Sequence, residues 1–513
     1  MEQFDTDLVV CGGSVFGCLA AVRAAQAGLR VVIVESREFL GGDFVGGNRL
    51  FVTQSERTTP LGAALTELGV LPEAQADGVF LLYEGETKQR LLEKVMTAGV
   101  TVLYLARPVA VGYGGGRLSG LTIATKYGAR FLRAKHIIDT PDGLCASVAI
   151  GKALRPQAET EITIIPRICG VERVSARRLD PGIDGMTAFL CPVKRSGAPN
   201  DALLALRFPS KKADLNAFSC RAAGVRAAIR AMSALRKSDP AFANAQISYF
   251  PYEAIAAPYE PCRARVDGIT RVDELPDGDA RTSWFRSIRT AQPPEPPENI
   301  RLGDAVADEM LPVTLYHAKM PEAVVRLQTD AALAGLGAGG CAAAMPLMRQ
   351  HVRFVACENK PQPGGTRVVG TVVAYWHGYH GGWNRTFLRE KQEFEQALGG
   401  ALFAEGETLE DAWLSDRLSR CTCGQVLTGT VFGAYRTGTQ CRGYFAATDR
   451  GVVRVESNVT IDATGDGDLA VLSGAAFRFG DTRDGMSQGC SMWGFSEQKG
   501  SCGKIRPQKA ILR

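Results

Sequence analysis

Apolar runs and small residues alternate at the start of the chain in an order that predicts a strand, a tight turn, a helix and a second strand. The β-branched run Asp7-Leu-Val-Val-Cys11 predicts the first strand. Glycine-rich Gly12-Gly-Ser-Val-Phe-Gly17 follows and leads into an alanine-rich helical stretch. A second β-branched run, Arg30-Val-Val-Ile-Val-Glu35, ends in an acid. This order indicates a parallel strand–helix–strand unit.

The same pattern recurs 323 residues later, and the spacing does not slip across the compared stretch. Over the 42 positions from Thr6 to Gly47, 14 are identical to their counterparts. Unrelated sequences of ordinary composition would match at roughly one position in fifteen. The sequence therefore predicts a duplicated unit.

Each copy predicts a dinucleotide-binding turn. The first glycine permits the tight turn, the second lets the backbone approach a pyrophosphate, the third lets the helix pack on the strand, and the acid binds a ribose hydroxyl. The helix N-terminus adds partial positive charge for the phosphates. The candidate residues are Gly12, Gly13, Ser14, Gly17 and Glu35 in the first copy and Gly335, Gly337, Gly340 and Glu358 in the second.

The two copies depart from the ideal pattern in different ways. Ser14 stands where the second glycine is expected, so a small side chain occupies the closest approach to the pyrophosphate. The second copy matches the glycine pattern fully, but Pro346 falls inside its expected helix, where proline costs about 3 kcal/mol or a kink. The preceding run Ala331-Ala-Leu-Ala334 is a weak strand former.

A second signature lies further along each copy, after a predicted β-meander that aligns Gly120–Gly128 with Gly443–Gly451. It reads Lys135-His-Ile-Ile-Asp139 in the first copy and Ile461-Asp-Ala-Thr-Gly-Asp-Gly-Asp468 in the second. A glycine pair also follows each ribose-binding acid. The candidate residues of these motifs are Gly42, Asp139, Gly365, Asp462, Gly465 and Asp466.

These motifs together resemble a bacterial family of FAD-dependent oxidoreductases, often labelled putative xanthan lyase and related to the heterodisulfide reductase A type. The resemblance is clearest over residues 5–151 and 329–480. It implies an α/β fold of two glutathione-reductase-like FAD/NAD(P)-binding Rossmann units with β-meanders and an intervening α+β substrate domain. It also implies FAD in preference to NAD, which the glycine turn alone cannot distinguish.

The resemblance further implies a return segment against the ribityl chain of the flavin. Asp304, in the Gly303-Asp304 pair, is a candidate for this role, although such pairs are also ordinary turn residues. A second full unit of 323 residues would extend well past Arg513, so the sequence is interpreted as one full unit followed by a truncated one.

The expected domain order has five parts. They are a first FAD-type unit over 1–151, a substrate or cap domain over 152–291, a linker and possible return strand over 292–328, a second FAD-type unit over 329–480, and the truncated start of a second substrate domain over 481–513. Within the cap domain, strands are expected at Glu161 and Ser248 and an amphipathic helix over Ala222–Lys237.

His377 and His380 are the candidate catalytic residues, since they follow the second ribose-binding acid in an aromatic segment that the resemblance places near the flavin. A histidine with an unperturbed pKa near about 6.5 suits general-base work at neutral pH. The alternative is an aromatic loop with solvent-facing histidines. No carboxylate or cysteine joins the pair locally, so no metal site is predicted.

The 14 cysteines are scattered, and Cys421-Thr-Cys423 is the closest pair. The sequence contains no C-x-x-C motif of the kind that holds an iron–sulfur cluster, so a [4Fe-4S] cluster is implied only by the family relation. A small net charge of +5 without basic blocks argues against nucleic-acid binding.

The uncharged run over 331–348 has the minimum length of a membrane span, but it coincides with the second glycine motif and is expected to be a buried strand and helix. The acidic start of the chain favours a cytoplasmic protein without a signal peptide.

The leading hypothesis is an FAD-dependent oxidoreductase that transfers hydride between a small organic substrate and flavin N5. Two alternatives remain open, an NAD(P)-dependent dehydrogenase and a truncated, non-catalytic nucleotide-binding remnant.

Overall fold

Two parallel sheets carry the two glycine-rich segments in this computed structural model. The structure describes residues 6–71, 75–76, 78–140, 144–193, 200–211, 215–275, 284–288, 301–302, 315–372, 381–478 and 480. All the elements named below lie in the unit Met1–Ser473, which is separate from the unit Gly474–Arg513. The fold is a mixed α/β fold.

The first sheet is built around β1, whose six residues are all buried. Strands pair in parallel in the order β9-β1-β2-β6, and β7 and β8 extend the sheet from β9 as an antiparallel meander. Parallel strands covered on both faces require continuous apolar runs, which β1 and β2 supply. The strands are β1 (Thr6–Cys11), β2 (Val31–Val34), β3 (Phe51–Thr53), β4 (Gln75–Ala76), β5 (Val79–Leu81), β6 (Thr101–Leu103), β7 (Arg107–Gly114), β8 (Arg117–Thr125) and β9 (Gly128–Asp139). The helices are α1 (Val15–Gln26), α2 (Gln54–Arg57), α3 (Pro60–Glu67), α4 (Glu84–Thr97) and α5 (Leu144–Ala149), with a π-helical turn at Gly42–Gly46.

A mixed region follows, in which a seven-stranded sheet packs against the long helix α6. The predicted helix and the predicted strands at Glu161 and Ser248 are all present in it. Its elements are β10 (Arg155–Pro156), β11 (Thr160–Ile164), β12 (Arg167–Cys169), β13 (Arg177–Leu179), β14 (Thr187–Pro192), β15 (Ala202–Ser210), α6 (Ala217–Ser238), β16 (Gln246–Tyr249), β17 (Ile255–Ala256) and β18 (Tyr259–Glu260), with a 3-10 turn at Pro240–Phe242. Three further strands, β19 (Ile269–Arg271), β20 (Arg301–Leu302) and β21 (Tyr316–His317), return to the first sheet beside β9. A 3-10 turn, Val272–Glu274, follows β19.

The second parallel sheet repeats the order of the first. Its strands pair as β26-β22-β23-β24 in parallel, and the antiparallel meander β24-β25-β26 closes it into a barrel. The elements are β22 (Val325–Ala334), α7 (Ala338–Arg349), β23 (Phe354–Glu358), α8 (Gly382–Ala397), α9 (Gly406–Arg420), β24 (Gly424–Thr437), β25 (Gln440–Thr448), β26 (Gly451–Asp462) and α10 (Asp468–Leu472), with a 3-10 turn at Gly365–Arg367.

The weak features of the second glycine segment are accommodated by this sheet. Ala331 to Ala334 form the buried end of β22, which is hydrogen-bonded on both sides. Pro346 lies in the last turn of α7, and the helix continues to Arg349. The uncharged run over 331–348 is therefore a strand, a turn and a helix. In the part of the chain that the structure describes, no helix combines the length and hydrophobicity of a membrane span.

The two β-meanders pack on each other through equivalent residues. One apolar cluster contains Val109, Ala124 and Ala129 from the first meander together with Phe432, Ala447 and Val452 from the second. Each residue of the second set lies 323 positions after one of the first. An interface in which the same patch serves both partners is isologous, as in a two-fold symmetric dimer.

A buried ion pair joins α6 to α9. The Arg221 guanidinium donates to both carboxylate oxygens of Asp411, at 2.8 and 2.5 Å, and its Nε donates to the Pro251 carbonyl at 2.9 Å. The two side chains are 0% and 2% exposed. A buried charge that is hydrogen-bonded on all sides is costly to leave without its partner.

Replacement of Arg221 by Met should lower the free energy of unfolding by about 3–5 kcal/mol, because Asp411 then remains buried without its cation. The matched control is Arg207→Met, since the Arg207–Glu161 pair is more than half exposed and such pairs contribute about 0–1 kcal/mol. Thermal and urea unfolding of both variants measures the difference. Equal losses in R221M and R207M would contradict this account of the buried pair.

Candidate functional site

Both glycine turns lie where a strand ends and a helix begins. Gly12 has φ of +98° and Gly335 has φ of +91°, a region that favours glycine. A Cβ at Gly17 would lie 2.1 Å from the Gly12 carbonyl oxygen, and one at Gly340 would lie 2.1 Å from that of Gly335. In each copy the third glycine of the motif therefore allows the helix to pack directly on its turn.

The two strand-end acids are held at their turns by equivalent hydrogen bonds. Glu35 Oε2 accepts from the Gly13 N–H at 2.6 Å, and Glu358 Oε2 accepts from the Leu336 N–H at 2.7 Å. The other carboxylate oxygen of each accepts from the backbone N–H two residues later, that of Arg37 or Lys360. Burial raises the pKa of Glu358, and these backbone N–H groups oppose the shift.

A glycine pair folds back over each turn. The Gly41 N–H donates to the Gly13 carbonyl at 2.7 Å, and the Gly364 N–H donates to the Leu336 carbonyl at 2.8 Å. In the second copy Gly365 has φ of +47°, and a Cβ there would lie 2.8 Å from the Gly337 Cα. Only a residue without a side chain fits this approach unstrained, so the glycine pair sets the height of the loop above the turn.

The acids that end β9 and β26 complete each edge. Asp139 Oδ2 accepts from the Ala146 N–H at 2.9 Å, and Asp462 Oδ2 accepts from the Ala470 N–H at 2.7 Å. Each acid thus ties its strand to the short helix that follows. Gly465 and Asp466 lie beside Asp462 and are exposed.

A cavity of about 300 Å³ lies at the first turn. It is formed at the carboxyl ends of β1, β2 and β9, where open parallel sheets commonly bind ligands. The mixed region contributes Tyr252 and Glu253 to its wall, and the second sheet contributes Asn359, Thr428 and Asp449. The first turn therefore faces an enclosed space, whereas Ala338 and Gly339 at the second turn are exposed.

Charged groups fill much of the first cavity's wall. The Arg37 guanidinium donates to Glu35 at 3.1 Å and to Glu253 at 2.9 Å. Burial alone would lower the pKa of Arg37, but the two carboxylates together raise it. Burial raises the pKa of Glu253 against the opposing effect of Arg37. Arg37 is therefore committed to neighbouring side chains.

Asp43 lies at the N-terminus of α1, a position that sequence reasoning did not single out. Its two carboxylate oxygens accept from the Val15 N–H at 3.1 and 3.3 Å. The side chain is accessible from the cavity but has protein on most sides, and this partial desolvation raises its pKa to about 6 against the opposing Val15 N–H and Arg37. The available signal was the alignment itself, since Thr366 is the equivalent residue.

The helix N-terminus of the second copy carries no such side chain. Gly337 is the N-cap of α7, and within the described residues no side chain caps this helix. In the first copy the Ser14 hydroxyl caps α1 by accepting from the Gly17 N–H at 3.1 Å. The small residue expected near the pyrophosphate in the first copy is therefore already used as a helix cap.

Carboxylates on α9 anchor the loop that follows the second strand-end acid. The Gln362 amide donates to Asp411 at 2.7 Å, next to the buried Arg221. The Arg367 guanidinium donates to both oxygens of Glu410, at 2.6 and 2.8 Å, and Lys391 donates to the same carboxylate at 3.0 Å. The Gly364-Gly365 pair thus lies between two anchored side chains.

Three predicted site residues, His377, His380 and Asp304, lie outside the described residues. Cys421 and Cys423 have their sulfur atoms 3.4 Å apart. Among the side chains that the structure describes, no group of three His, Cys, Asp or Glu residues could hold a metal ion.

Comparison with protein families gives one match. The model of a family described as FAD dependent oxidoreductase matches residues 7–173 and 330–504, about two thirds of the chain. The two matched stretches each contain one glycine turn.

Curated relatives include thiamine thiazole synthases of archaea. The enzyme of Methanococcus aeolicus is 30% identical over 159 residues, which cover 29% of this chain and 59% of that protein. The enzyme of Aeropyrum pernix is 32% identical over 123 residues, which cover 24% and 45%. The chain spans about half the length of these relatives.

Solved structures with partial similarity are also flavoenzyme-like. A geranylgeranyl bacteriochlorophyll reductase-like protein of Thermoplasma acidophilum has a TM-score of 0.39 and 14% identity, covering 56% of this chain and 78% of that one. The p-nitrophenol 4-monooxygenase of Pseudomonas putida has a TM-score of 0.34 and 18% identity, covering 55% and 73%.

Replacement of Gly365 by Ala should destabilise the protein by about 1–3 kcal/mol, because it combines a left-handed backbone with a contact on Gly337. The matched control is Gly339→Ala in the first turn of α7, where a Cβ would meet open space and alanine favours the helix. Thermal unfolding without added ligand compares the two. A melting temperature of G365A at or above that of G339A would refute the close-approach account of the glycine pair.

Proposed function

The chain belongs to the FAD-dependent oxidoreductase family, and from this premise we propose that it transfers hydride between a small organic substrate and its cofactor, FAD. The observation that carries the proposal is the paired geometry of strand, glycine turn, helix and strand-end acid. This geometry suits the adenosine diphosphate half of a dinucleotide, because the turn and the helix N-terminus meet phosphates and the acid meets a ribose.

We further propose that the protein is a tandem of two FAD-type units. The units are residues 1–151 and 329–480, with a substrate or cap domain over 152–291, a linker over 292–328 and the start of another domain over 481–513. The offset of 323 residues supports the duplication, since it relates α1 to α7, β8 to β25 and β9 to β26 with identical bounds.

The residues present fit the cofactor best at the second turn. Gly335, Gly337 and Gly340 would admit the diphosphate, and Glu358 would accept from a ribose hydroxyl. Gly365 would close over the diphosphate, while Asp462, Gly465 and Asp466 line the same edge. The proposed roles of Gly12, Gly13, Ser14, Gly17, Glu35, Gly42 and Asp139 in the first unit, and of Asp304 as a ribityl contact, rest on the sequence motifs.

When bound, FAD supplies a ring that accepts or returns a hydride. The protein must then bind and orient the substrate and move the accompanying proton. We propose His377 or His380 as the group that takes this proton, because a histidine is half-protonated near neutral pH. The assignment rests on their place in the sequence, a few residues after the Gly364-Gly365 pair.

An absorbance spectrum and identification of the released cofactor test the proposed function. The purified chain should be yellow and should release FAD on denaturation. A colourless chain that binds NADH would instead support an NAD(P)-dependent dehydrogenase. If neither FAD nor NADH raises the melting temperature, the chain is a non-catalytic remnant, because a ligand of the folded state alone must stabilise it.

Replacement of His377 or His380 by Gln should slow anaerobic bleaching of the flavin by substrate about 10²–10⁴-fold, the usual contribution of a general base. A panel of small alcohols and amines supplies the substrate. The flavin content should stay at the wild-type level, which separates a proton-transfer defect from cofactor loss. Full bleaching rates in both variants would remove the two histidines from the mechanism. His351→Gln is a suitable control, since His351 lies in the turn after α7.

A further inference from the structure

The two helix N-termini treat their first N–H groups differently. In α1 the Val15 N–H is bound by the Asp43 carboxylate and the Gly17 N–H by the Ser14 hydroxyl. The equivalent residues of α7 are Ala338 and Gly340. Within the described residues, no side chain caps α7. The N–H groups that a diphosphate would use are thus occupied in the first unit and open to an incoming anion in the second.

Asp43 also changes the charge at this position. A helix N-terminus carries partial positive charge that stabilises a phosphate or a carboxylate. In the first unit a carboxylate of the chain itself already takes that place. A diphosphate would have to displace it or lie beside it, and like charges at close range disfavour each other strongly. The second unit has the neutral Thr366 at this position.

The isologous packing of the two meanders gives each unit one charged residue from the other. Asp449 of the second meander lines the cavity at the first turn. Its equivalent in the first meander is Lys126, whose Nζ lies 2.5 Å from Asp466 Oδ2 in the second unit. At equivalent positions, the first turn therefore receives an anion and the second edge receives a cation.

The arginines of the first cavity do not reverse this balance. Arg37 is bound to Glu35 and Glu253, so its charge is already compensated. Arg107 also lines the cavity, facing a wall that holds the carboxylates Glu35, Asp43, Asp139, Glu253 and Asp449. The lining of the first cavity is therefore net acidic, which opposes the entry of a ligand with a doubly charged diphosphate.

We propose that the chain binds one FAD, at the second turn, and that Asp43 closes the first turn to diphosphates. This inference rests on the proposed function and assigns it to one of two similar units. The first unit then acts as a scaffold that supplies Lys126 to the acidic edge of the cofactor site. Its own cavity is reserved for ligands without a phosphate.

Exchanging the residues at position 43 and position 366 tests the assignment. Wild-type protein loaded with excess FAD and desalted should hold one flavin per chain. Thr366→Asp should raise the dissociation constant of FAD roughly 10- to 100-fold, since it places at the second turn the anion that Asp43 places at the first. Thr366→Asn, nearly identical in shape but uncharged, should keep flavin in the ratio of one and controls for misfolding. Flavin content and fluorescence titration with FAD give both readouts.

Asp43→Thr completes the test. It should leave the ratio at one, or raise it above one if an opened first turn admits a second FAD. The assignment is overturned if T366D retains flavin as tightly as T366N, or if D43T loses flavin. A wild-type ratio of two also overturns it while leaving the proposed function intact. A wild-type chain that binds no FAD at all overturns both.

Discussion

One interaction holds each candidate site together, the hydrogen bond from the backbone of the glycine turn to the acid at the end of the neighbouring strand. Glu35 and Glu358 reach back across the sheet edge to the N–H of the residue after the first glycine. The bond fixes the turn relative to two parallel strands, and so it fixes the direction of the helix that follows. The glycine pair, the strand-end aspartates and the helix N-terminus are all placed by this geometry.

Duplication allowed the two units to diverge without loss of the fold. The meander interface uses the same six positions from both sides, so its packing does not depend on what happens at either turn. The turns could therefore take different charges. Asp43 and Asp449 make the first acidic, while the second is braced by α9 through Glu410 and Asp411. The mixed region contributes to the second unit as well, because Arg221 holds Asp411 in place.

The turns, their glycines and their acids could be predicted because each depends on neighbours within about 30 residues, which a repeat at fixed spacing makes visible. The weak strand at Ala331–Ala334 forms because β23 and β26 pair with it on both sides, a tertiary effect that overrides local propensity. The Arg221–Asp411 pair spans 190 residues and leaves no periodic signal. Asp43 was within reach, since the alignment that revealed the glycines also sets it against Thr366.

A crystal structure grown with FAD tests the central claim most directly, that two similar turns have different ligands because of the charge at one helix N-terminus. The account predicts density for an adenosine diphosphate group at Gly335–Gly340, with the Ala338 and Gly340 N–H groups directed toward it. It also predicts that the Asp43 carboxylate remains on the Val15 N–H. Diphosphate density at Gly12–Gly17, with Asp43 turned away, would contradict it.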